Sequence, residues 1–578
     1  MVMIYDSEKF KEAQDHGEDL KALHSQRNDM DDAMENMYLV KWDNEDKYTT
    51  AQESVAVTRS PSAHNKCEGA IRLLSTTAPK FSVPREKNKK DVDPTSSKIE
   101  QWCTRVWECA SRVTSEKLER SVAQSQILFG ESVIAVDRTS DILDQLLARR
   151  SQVGDDWLEA AIVRAERISK QAPFLFTVWD PRTCFPDFDK FGLRAMYREV
   201  ETTAGAALDE FGHLAGIVED RNTTITICSY WDYVWRYTWL LGSAYPLIAE
   251  KHGLPFIPVV CQLGEGSRLF ADPENWRLPF LYSVWRSNQW SNENLYLTVM
   301  ATATAAFGSN PMFTAVVQNE DRSLIVDHSV PGGRITLLPG ESYTPTPKMV
   351  IDPSIMTGLE RARQDIEEST IYGQTLGEPI GPQATYSMTA LLHQAGRLPL
   401  SMPQEMAGRA IAGALKIALE WTKKSGKKLT AGTPGYTYDL QPSDIPDGVE
   451  IDCKLDVALP QDRLGNVNVA RMATDPNNPL TSVAWAQTNV LGIEQPDEMT
   501  KEIMAERATQ IMFMQYLQQM QQQQQMQQMP PQQGQPTPGP GMPPEMMAGG
   551  MQGPQPAPGQ QQQLPPEMAG GPGVPYGE

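Results

Sequence analysis

Residues Asp352–Pro382 read DPSIMTGLERARQDIEESTIYGQTLGEPIGP. Asp352 followed by Pro353 predicts a helix start. The Asp side chain can accept from an early backbone N–H, and Pro suits the first helical position because an N–H there lacks an intrahelical partner anyway. Leu359, Ala362 and Ile366 recur at helical spacing and predict a buried stripe on a helix running to Tyr372. Glu360, Arg361, Arg363, Asp365, Glu367 and Glu368 take the other faces. Beyond Tyr372 the chain turns to glycine and proline, at Gly373, Gly377, Pro379, Gly381 and Pro382, which predicts a loop. Helical sequence resumes over 384–396 and 402–424, interrupted at Pro399 and Pro403, with Ser401 and Gln404 spaced as a capping box.

Upstream, residues 290–307 are rich in small and apolar side chains and predict a helix capped by Ser291 or Asn292 and ended by Gly308. Between the two helices, SLIVDHSVPGGRITLL (Ser323–Leu338) predicts a hairpin turning at Pro331-Gly332-Gly333, followed by an extended stretch with Pro339, Pro345 and Pro347. LPFIPVVCQL (Leu254–Leu263) predicts a buried strand, placed near a sheet edge by Pro255 and Pro258. Over 223–241, Tyr233, Trp235, Tyr237 and Trp239 alternate with Val234, Arg236 and Thr238. That is strand period, with one aromatic face packed on a core. Phe174–Trp179 and Ser132–Asp137 predict further strands, and 5–35, 96–128, 140–170 and 483–520 predict helical regions.

The chain has 578 residues, which suggests about three or four domains. Lys and Arg total 52 against 73 Asp and Glu, a net charge of −21. That balance excludes a nucleic-acid binder held by a basic face, since phosphate affinity comes from Lys and Arg. The seven cysteines include no C-x-x-C pair and suggest a reducing compartment. The charged start, MVMIYDSEKFKEAQDHGEDLK, lacks the apolar core of a secretory signal, and no run is long enough for a membrane span. Gln521–Glu578 holds 16 Gln, 14 Pro and 11 Gly and no Lys, Arg or His. Such a segment cannot offset its chain entropy by burial and is expected to be a disordered tail. It carries a short repeat, PPEMMAGG from Pro543 and PPEMAGG from Pro565.

Catalytic signatures are wanting. The nearest approach to a phosphate-binding loop is Gly426-Lys427, but Lys428 follows and Trp421 stands where the first glycine belongs. Neither H-E-x-x-H nor G-x-S-x-G occurs. Asp187-x-Asp189-x-x-Gly192 has Phe191 and Arg198 where a calcium loop needs oxygen ligands, so it predicts a polar hairpin turn. Arg85, Lys87, Lys89 and Lys90 predict a solvated loop.

The order of parts resembles the portal proteins of tailed double-stranded DNA bacteriophages. The LPFIPVV phrase (Leu254–Val260), the helix of 290–307, the excursion Glu320–Pro347, the charged helix Pro353–Tyr372 and the loop Gly373–Gly381 follow one another as in that family. VPREKNKK (Val83–Lys90), the helix with Trp102 and Trp107, LFGESVIAVD (Leu128–Asp137) and FTVWDPRTCFPDFD (Phe176–Asp189) are similar to its wing region. The likeness spans about 60–515.

The resemblance implies an α+β portal-type subunit. Residues 1–289 and 382–460 would form the wing, 290–319 and 348–372 the stem helices, 320–347 the clip and 461–520 a helical crown, followed by the tail at 521–578. A tunnel loop, 373–381, would face DNA with Gly373, Gln374, Thr375, Leu376, Gly377, Glu378 and Gly381. Asp327, His328, Pro331, Gly332, Gly333 and Arg334 would lie in the clip, which docks first the terminase packaging motor and then the head-to-tail adaptor. The implied assembly is a homo-oligomeric ring, usually of twelve subunits, at a capsid vertex of the virion, formed in the host cytoplasm. Major capsid and scaffolding proteins are its other implied partners, and double-stranded DNA passes through its channel. Neither cofactor, metal, membrane nor enzymatic activity is expected. The rival readings are another virion adaptor or scaffold-type protein, or an enzyme whose site has no signature.

Overall fold

The computed structural model describes residues 6–42, 57–84, 94–114, 116–150, 156–211, 220–270, 272–308, 313–316, 337–345, 352–371, 398–433, 436–455 and 496–527, with 373, 396, 470–472, 474, 483 and 486–487 between them. Helices and antiparallel sheets make it an α+β chain. Its strands are β1 (Lys80–Ser82), β2 (Glu131–Arg138), β3 (Phe174–Trp179), β4 (Cys184–Phe188), β5 (Leu193–Thr203), β6 (Thr224–Trp231), β7 (Trp235–Leu240), β8 (Pro246–Lys251), β9 (Val259–Leu263), β10 (Phe313–Val316), β11 (Ser342–Pro345), β12 (Leu429–Thr433), β13 (Tyr436–Leu440) and β14 (Asp452–Lys454). The chain divides into two units, Met1–Gln461 and Asp462–Glu578.

In the first unit, β2 lies at the centre of a three-stranded sheet between β3 and β9, with Ile134 opposite Val178 on one side and Val260 on the other. The side chains of β2 are buried through Val136, as its apolar run requires. The helices Pro94–Val113, Leu118–Phe129 and Ser401–Ser425 pack against this sheet, burying Trp102, Trp107, Ile411 and Leu415. β9 is an edge strand, as its prolines predict, but it begins only at Val259, because Pro255 and Pro258 lack the ladder N–H.

The strands β4 to β8 form an antiparallel meander. The aromatic alternation holds: Tyr237 and Trp239 are buried and the rings of Phe10 and Tyr197 lie against Trp239. Phe10 belongs to the helix Ser7–Leu23, which covers this sheet. Tyr233, read as part of the strand, lies in the preceding turn. Asp232 Oδ1 accepts from Val234 N and Trp235 N, both at 2.6 Å, and this Asx turn delays the strand to Trp235. Asp189 likewise accepts from Phe191 N and Gly192 N between β4 and β5, the predicted polar turn.

Two predicted long helices are divided. The 96–128 region is the pair Pro94–Val113 and Leu118–Phe129. The second folds back so that Trp107 Nε1 donates to the buried Glu119 Oε1 at 2.8 Å, and Thr114 turns its hydroxyl onto Ala110 O at the break. Gly130 ends the second helix in the left-handed region (φ 63°) with its Cα against the Leu278 backbone, a place where a Cβ has no room. The 140–170 region is Thr139–Arg150 and Asp156–Ser169, packed on each other. The capping box at Ser401 is not made. Leu400 stands at the cap position, and Gln404 Nε2 donates instead to Leu455 O. Gly426, from the rejected phosphate loop, is the left-handed end of that helix.

In the second unit the described helix is Pro496–Gln527. It runs beyond Met520 into the segment expected to be disordered. Glutamine is a good helix former and the first proline comes at Pro530, so composition alone placed that boundary too early. The rest of the tail lies outside the described residues.

Candidate functional site

The helix Gln289–Gly308 carries one charged residue, Glu293, and it points inward. Trp290, Glu293, Asn294 and Thr298 are all buried, on one face by their helical spacing. They hold the segment 57–62. Trp290 Nε1 donates to Ser60 O at 3.1 Å, Ser60 N to Asn294 Oδ1 at 2.6 Å, and Thr58 N to Thr298 Oγ1 at 3.2 Å. Glu293 accepts from Ser62 Oγ at 2.5 Å and from Arg363 Nε at 2.9 Å. Asn292 and Val299, seven positions apart, fall on the opposite face, where Val299 is 40% exposed, whereas Leu295 packs against the apolar cluster that holds Trp290 and Ile366. A surface helix ordinarily buries its apolar stripe and exposes its charges. This one buries its single charge beside Trp290 and leaves the apolar Val299 exposed. The predicted cap at Ser291 or Asn292 is overtaken because the helix starts two residues earlier, and Ser291 Oγ accepts from Trp42 Nε1 instead.

The helix Pro353–Glu368 has the predicted design. Asp352 Oδ1 accepts from Ser354 N at 2.8 Å, and those bonds hold its carboxyl below the usual carboxylate range. Leu359, Ala362 and Ile366 are buried. The helix stops at Glu368 rather than Tyr372, because Lys66 Nζ donates to Ile371 O at 2.8 Å and draws the chain away. It lies against Gln289–Gly308, with Glu293 beside Arg363 and Tyr296 beside Gly358. The crossed order of those pairs makes the two helices antiparallel. A Cβ on Gly358 would stand 2.7 Å from Tyr296 Cζ, so the glycine allows the close approach. Beyond the helix ends, β10 and β11 pair antiparallel, Phe313 opposite Pro345 and Val316 opposite Ser342. The chain thus leaves along one helix, passes through a two-stranded ribbon and returns along the other.

The clip residues Asp327, His328, Pro331, Gly332, Gly333 and Arg334 lie outside the described residues, as do Gln374, Thr375, Leu376, Gly377, Glu378 and Gly381 of the loop. Gly373 is described and is buried.

The other conspicuous polar constellation escaped the sequence reading. Arg27 and Asp31 on the helix Arg27–Tyr38, Glu131 on β2 and Arg277 form a cluster in which each side chain is at most 1% exposed. Arg277 donates to Glu131 at 2.7 Å and to Asp31 at 2.5 Å. Arg27 donates to Pro181 O at 2.8 Å and to Cys184 O. Cys261 Sγ donates to Glu131 Oε1 at 3.0 Å. Burial raises the Glu131 carboxyl, but Arg277 and Arg27 outweigh it and hold the group below its ordinary value. At Asp31 burial wins and the carboxyl is raised. Two guanidiniums balance two carboxylates, and a substrate has no exposed atom to meet. The cluster is a structural clamp joining helix, sheet and loop. No local signal could have found it, since Asp31 and Arg277 stand 246 residues apart. His24 closes one side. Its Nε2 donates to Pro186 O at 3.0 Å, Nδ1 has no hydrogen-bond partner among the described residues, and burial followed by the nearby Arg27 lowers its pKa to about 4.

Among the described residues there is no grouping of His, Cys, Asp and Glu able to hold a metal ion, and no helix is long and apolar enough to cross a membrane. All seven cysteines are free.

No family model and no curated protein matches the chain. Solved structures that it is similar to include a chain in the neck of an empty GTA particle computed with C6 symmetry, at 11% identity and TM-score 0.40, covering 76% of this chain and 92% of that one. A chain in the neck of a native GTA particle computed with C12 symmetry matches at 8% identity and TM-score 0.37, covering 75% and 89%. A chain of the virion of a native gene transfer agent (GTA) particle matches at 10% identity and TM-score 0.36, covering 78% and 94%. TM-scores of this size do not establish a common fold.

Proposed function

We propose that the chain is the subunit of a ring-shaped portal, a structural channel for double-stranded DNA at a capsid vertex. The observation that carries this reading is the helix Gln289–Gly308, whose only charge is buried and whose outward face is uncharged. A helix of that kind is stable beside a neighbour, and self-association supplies one at every position of a closed ring. The antiparallel pairing with Pro353–Glu368 and the ribbon of β10 and β11 support the stem and clip roles that the sequence order implies.

The electrostatics suit a conduit. A duplex must slide, so its channel must not release counterions and hold phosphates. A chain of net charge −21 repeated around an axis repels DNA only near contact, because screening acts over about 8 Å at physiological salt. Hydrolysis of ATP then belongs to a separate motor, in keeping with the lack of a phosphate-binding loop in the sequence. The loop from Gly373 to Gly381 would face the lumen, and 320–347 would meet motor and adaptor.

Native mass spectrometry and electron microscopy of the full chain test the assembly. Closed rings with an axial hole are expected, and monomer alone at micromolar concentration overturns the reading. Lysines in place of Gln374 and Thr375 are expected to slow DNA passage in a salt-dependent way without altering the ring; packaging indifferent to them removes the loop from the lumen.

A further inference from the structure

Opposite edges of the β4–β8 meander carry an apolar knob and an apolar groove. At the β4 edge, the turn between β4 and β5 meets the loop that follows β9. Arg268 Nη1 donates to Asp189 O at 3.5 Å, and its guanidinium lies over the Phe188 ring at 5.2 Å. These adjoining loops present Phe191 and Leu269, each 94% exposed, and the exposed Phe270. Large apolar side chains left bare together mark a contact surface, since each costs free energy in water. Glu265 and Asp272 flank Leu269 and Phe270 in the sequence; both are exposed and neither has a cation partner among the described residues. At the β8 edge a groove of about 720 Å³ opens between the meander and the helix Ser401–Ser425. Phe256, Leu419, Ile445 and Val449 line it, with Tyr233 exposed at its lip. Lys416 and Lys424 stand beside it and have no carboxylate partner among the described residues.

The two features are complementary. A groove of this size encloses a whole small ligand, so it has room for a leucine and a phenylalanine side chain. Two free carboxylates beside the knob match two free ammonium groups beside the groove, and such matching sets the register of a contact. The knob is out of reach of its own groove, because β5, β6 and β7 lie between the two edges and put them about 19 Å apart. We propose that Leu269 and Phe270 of one chain enter the groove of a second copy, with Glu265 and Asp272 beside that copy's Lys416 and Lys424. A knob and a hole on opposite edges of one chain join head to tail, and a contact of that sense repeats into a closed ring or an open filament. The inference names a subunit contact of the ring proposed above and rests on that reading.

The test uses the full chain and follows assembly against concentration by sedimentation, with electron microscopy of the product. Leu269→Asp with Phe270→Ser, both at exposed positions, is expected to leave the melting temperature of the dissociated chain unchanged. The same pair is expected to raise the concentration at which half of the chain is assembled by about tenfold or more, the scale of one apolar side chain lost from a contact. Lys416→Glu with Lys424→Glu is expected to weaken assembly, and adding Glu265→Lys and Asp272→Lys to that chain is expected to restore it. Rings whose concentration dependence is indifferent to the knob pair or to the lysine pair overturn the contact, and with it a second copy as the occupant, while the ring stands. Failure of the second charge reversal to restore assembly overturns the pairing of knob with groove. Open filaments that the knob and lysine variants disperse keep the contact and overturn the ring. Monomer alone from the unaltered chain overturns both.

Discussion

The two antiparallel helices of the first unit solve the same packing problem in opposite ways. Pro353–Glu368 turns Leu359, Ala362 and Ile366 inward and leaves its charges to solvent. Gln289–Gly308 turns Glu293, Asn294 and Thr298 inward with Trp290 and leaves Asn292 and Val299 outward. The first is held by apolar burial and is complete as a surface helix. The second is held by hydrogen bonds from Glu293, Asn294 and Thr298 to 57–62 and Arg363, and in the proposed ring a neighbouring subunit covers its outer face. Buried polar groups specify a position at little net gain, whereas apolar burial stabilises without fixing a partner.

Five measurements break or sharpen that contrast. Ile366→Ala removes a side chain buried to 1% from the conventional helix, and denaturant unfolding is expected to show a loss of about 3 kcal/mol. Acid supplies a reference from outside the pair. His24 has a native pKa of about 4 against 6.5 for the free group, so the unfolded chain binds its proton first. Its contribution is full above pH 6.5, is lost as pH falls toward 4 and reaches at most about 3 kcal/mol. His24→Gln is expected to flatten that part of the stability curve; an unchanged slope would show that another group carries it.

Glu293→Gln keeps the shape of Gln289–Gly308 and discharges its buried carboxylate. A loss of about 2 kcal/mol is expected, from charge-assisted bonds to Ser62 and Arg363. Asp352→Ala deletes the exposed cap of Pro353–Glu368, and its effect on Tm is expected to be smaller than that of Glu293→Gln. Val299→Glu is expected to change the stability of the dissociated chain by no more than about 0.5 kcal/mol while abolishing rings under electron microscopy. Rings that tolerate this glutamate would show that the outward face is not the one covered.

The cap at Asp352, the stripe at Leu359, Ala362 and Ile366, the strand Phe174–Trp179 and the Asp189 turn were legible because each rests on residues within a few positions of one another. The break after Val113 was not, since what stabilises it is Trp107 reaching Glu119 of the next helix, a pairing that forms only once the chain has turned back on itself. Ser401 and Gln404 match a capping motif, yet Leu455 outbids the helix end for Gln404. Candidate site residues in the clip and most of the loop lie where the structure describes nothing, so the sequence order stands there by itself.

Local chemistry, readable by eye, thus determined the α+β class, the acidic character, the lack of catalytic signatures and the succession helix, ribbon, helix. Only the tertiary structure decided that Gln289–Gly308 buries its single charge, because Glu293 and Asn294 read as solvent-facing until Ser60, Ser62 and Arg363 are brought onto them. It alone decided the clamp of Arg27, Asp31, Glu131 and Arg277. A buried charge is tolerable only beside its counter-charge, and residues hundreds of positions apart meet only when the chain has folded.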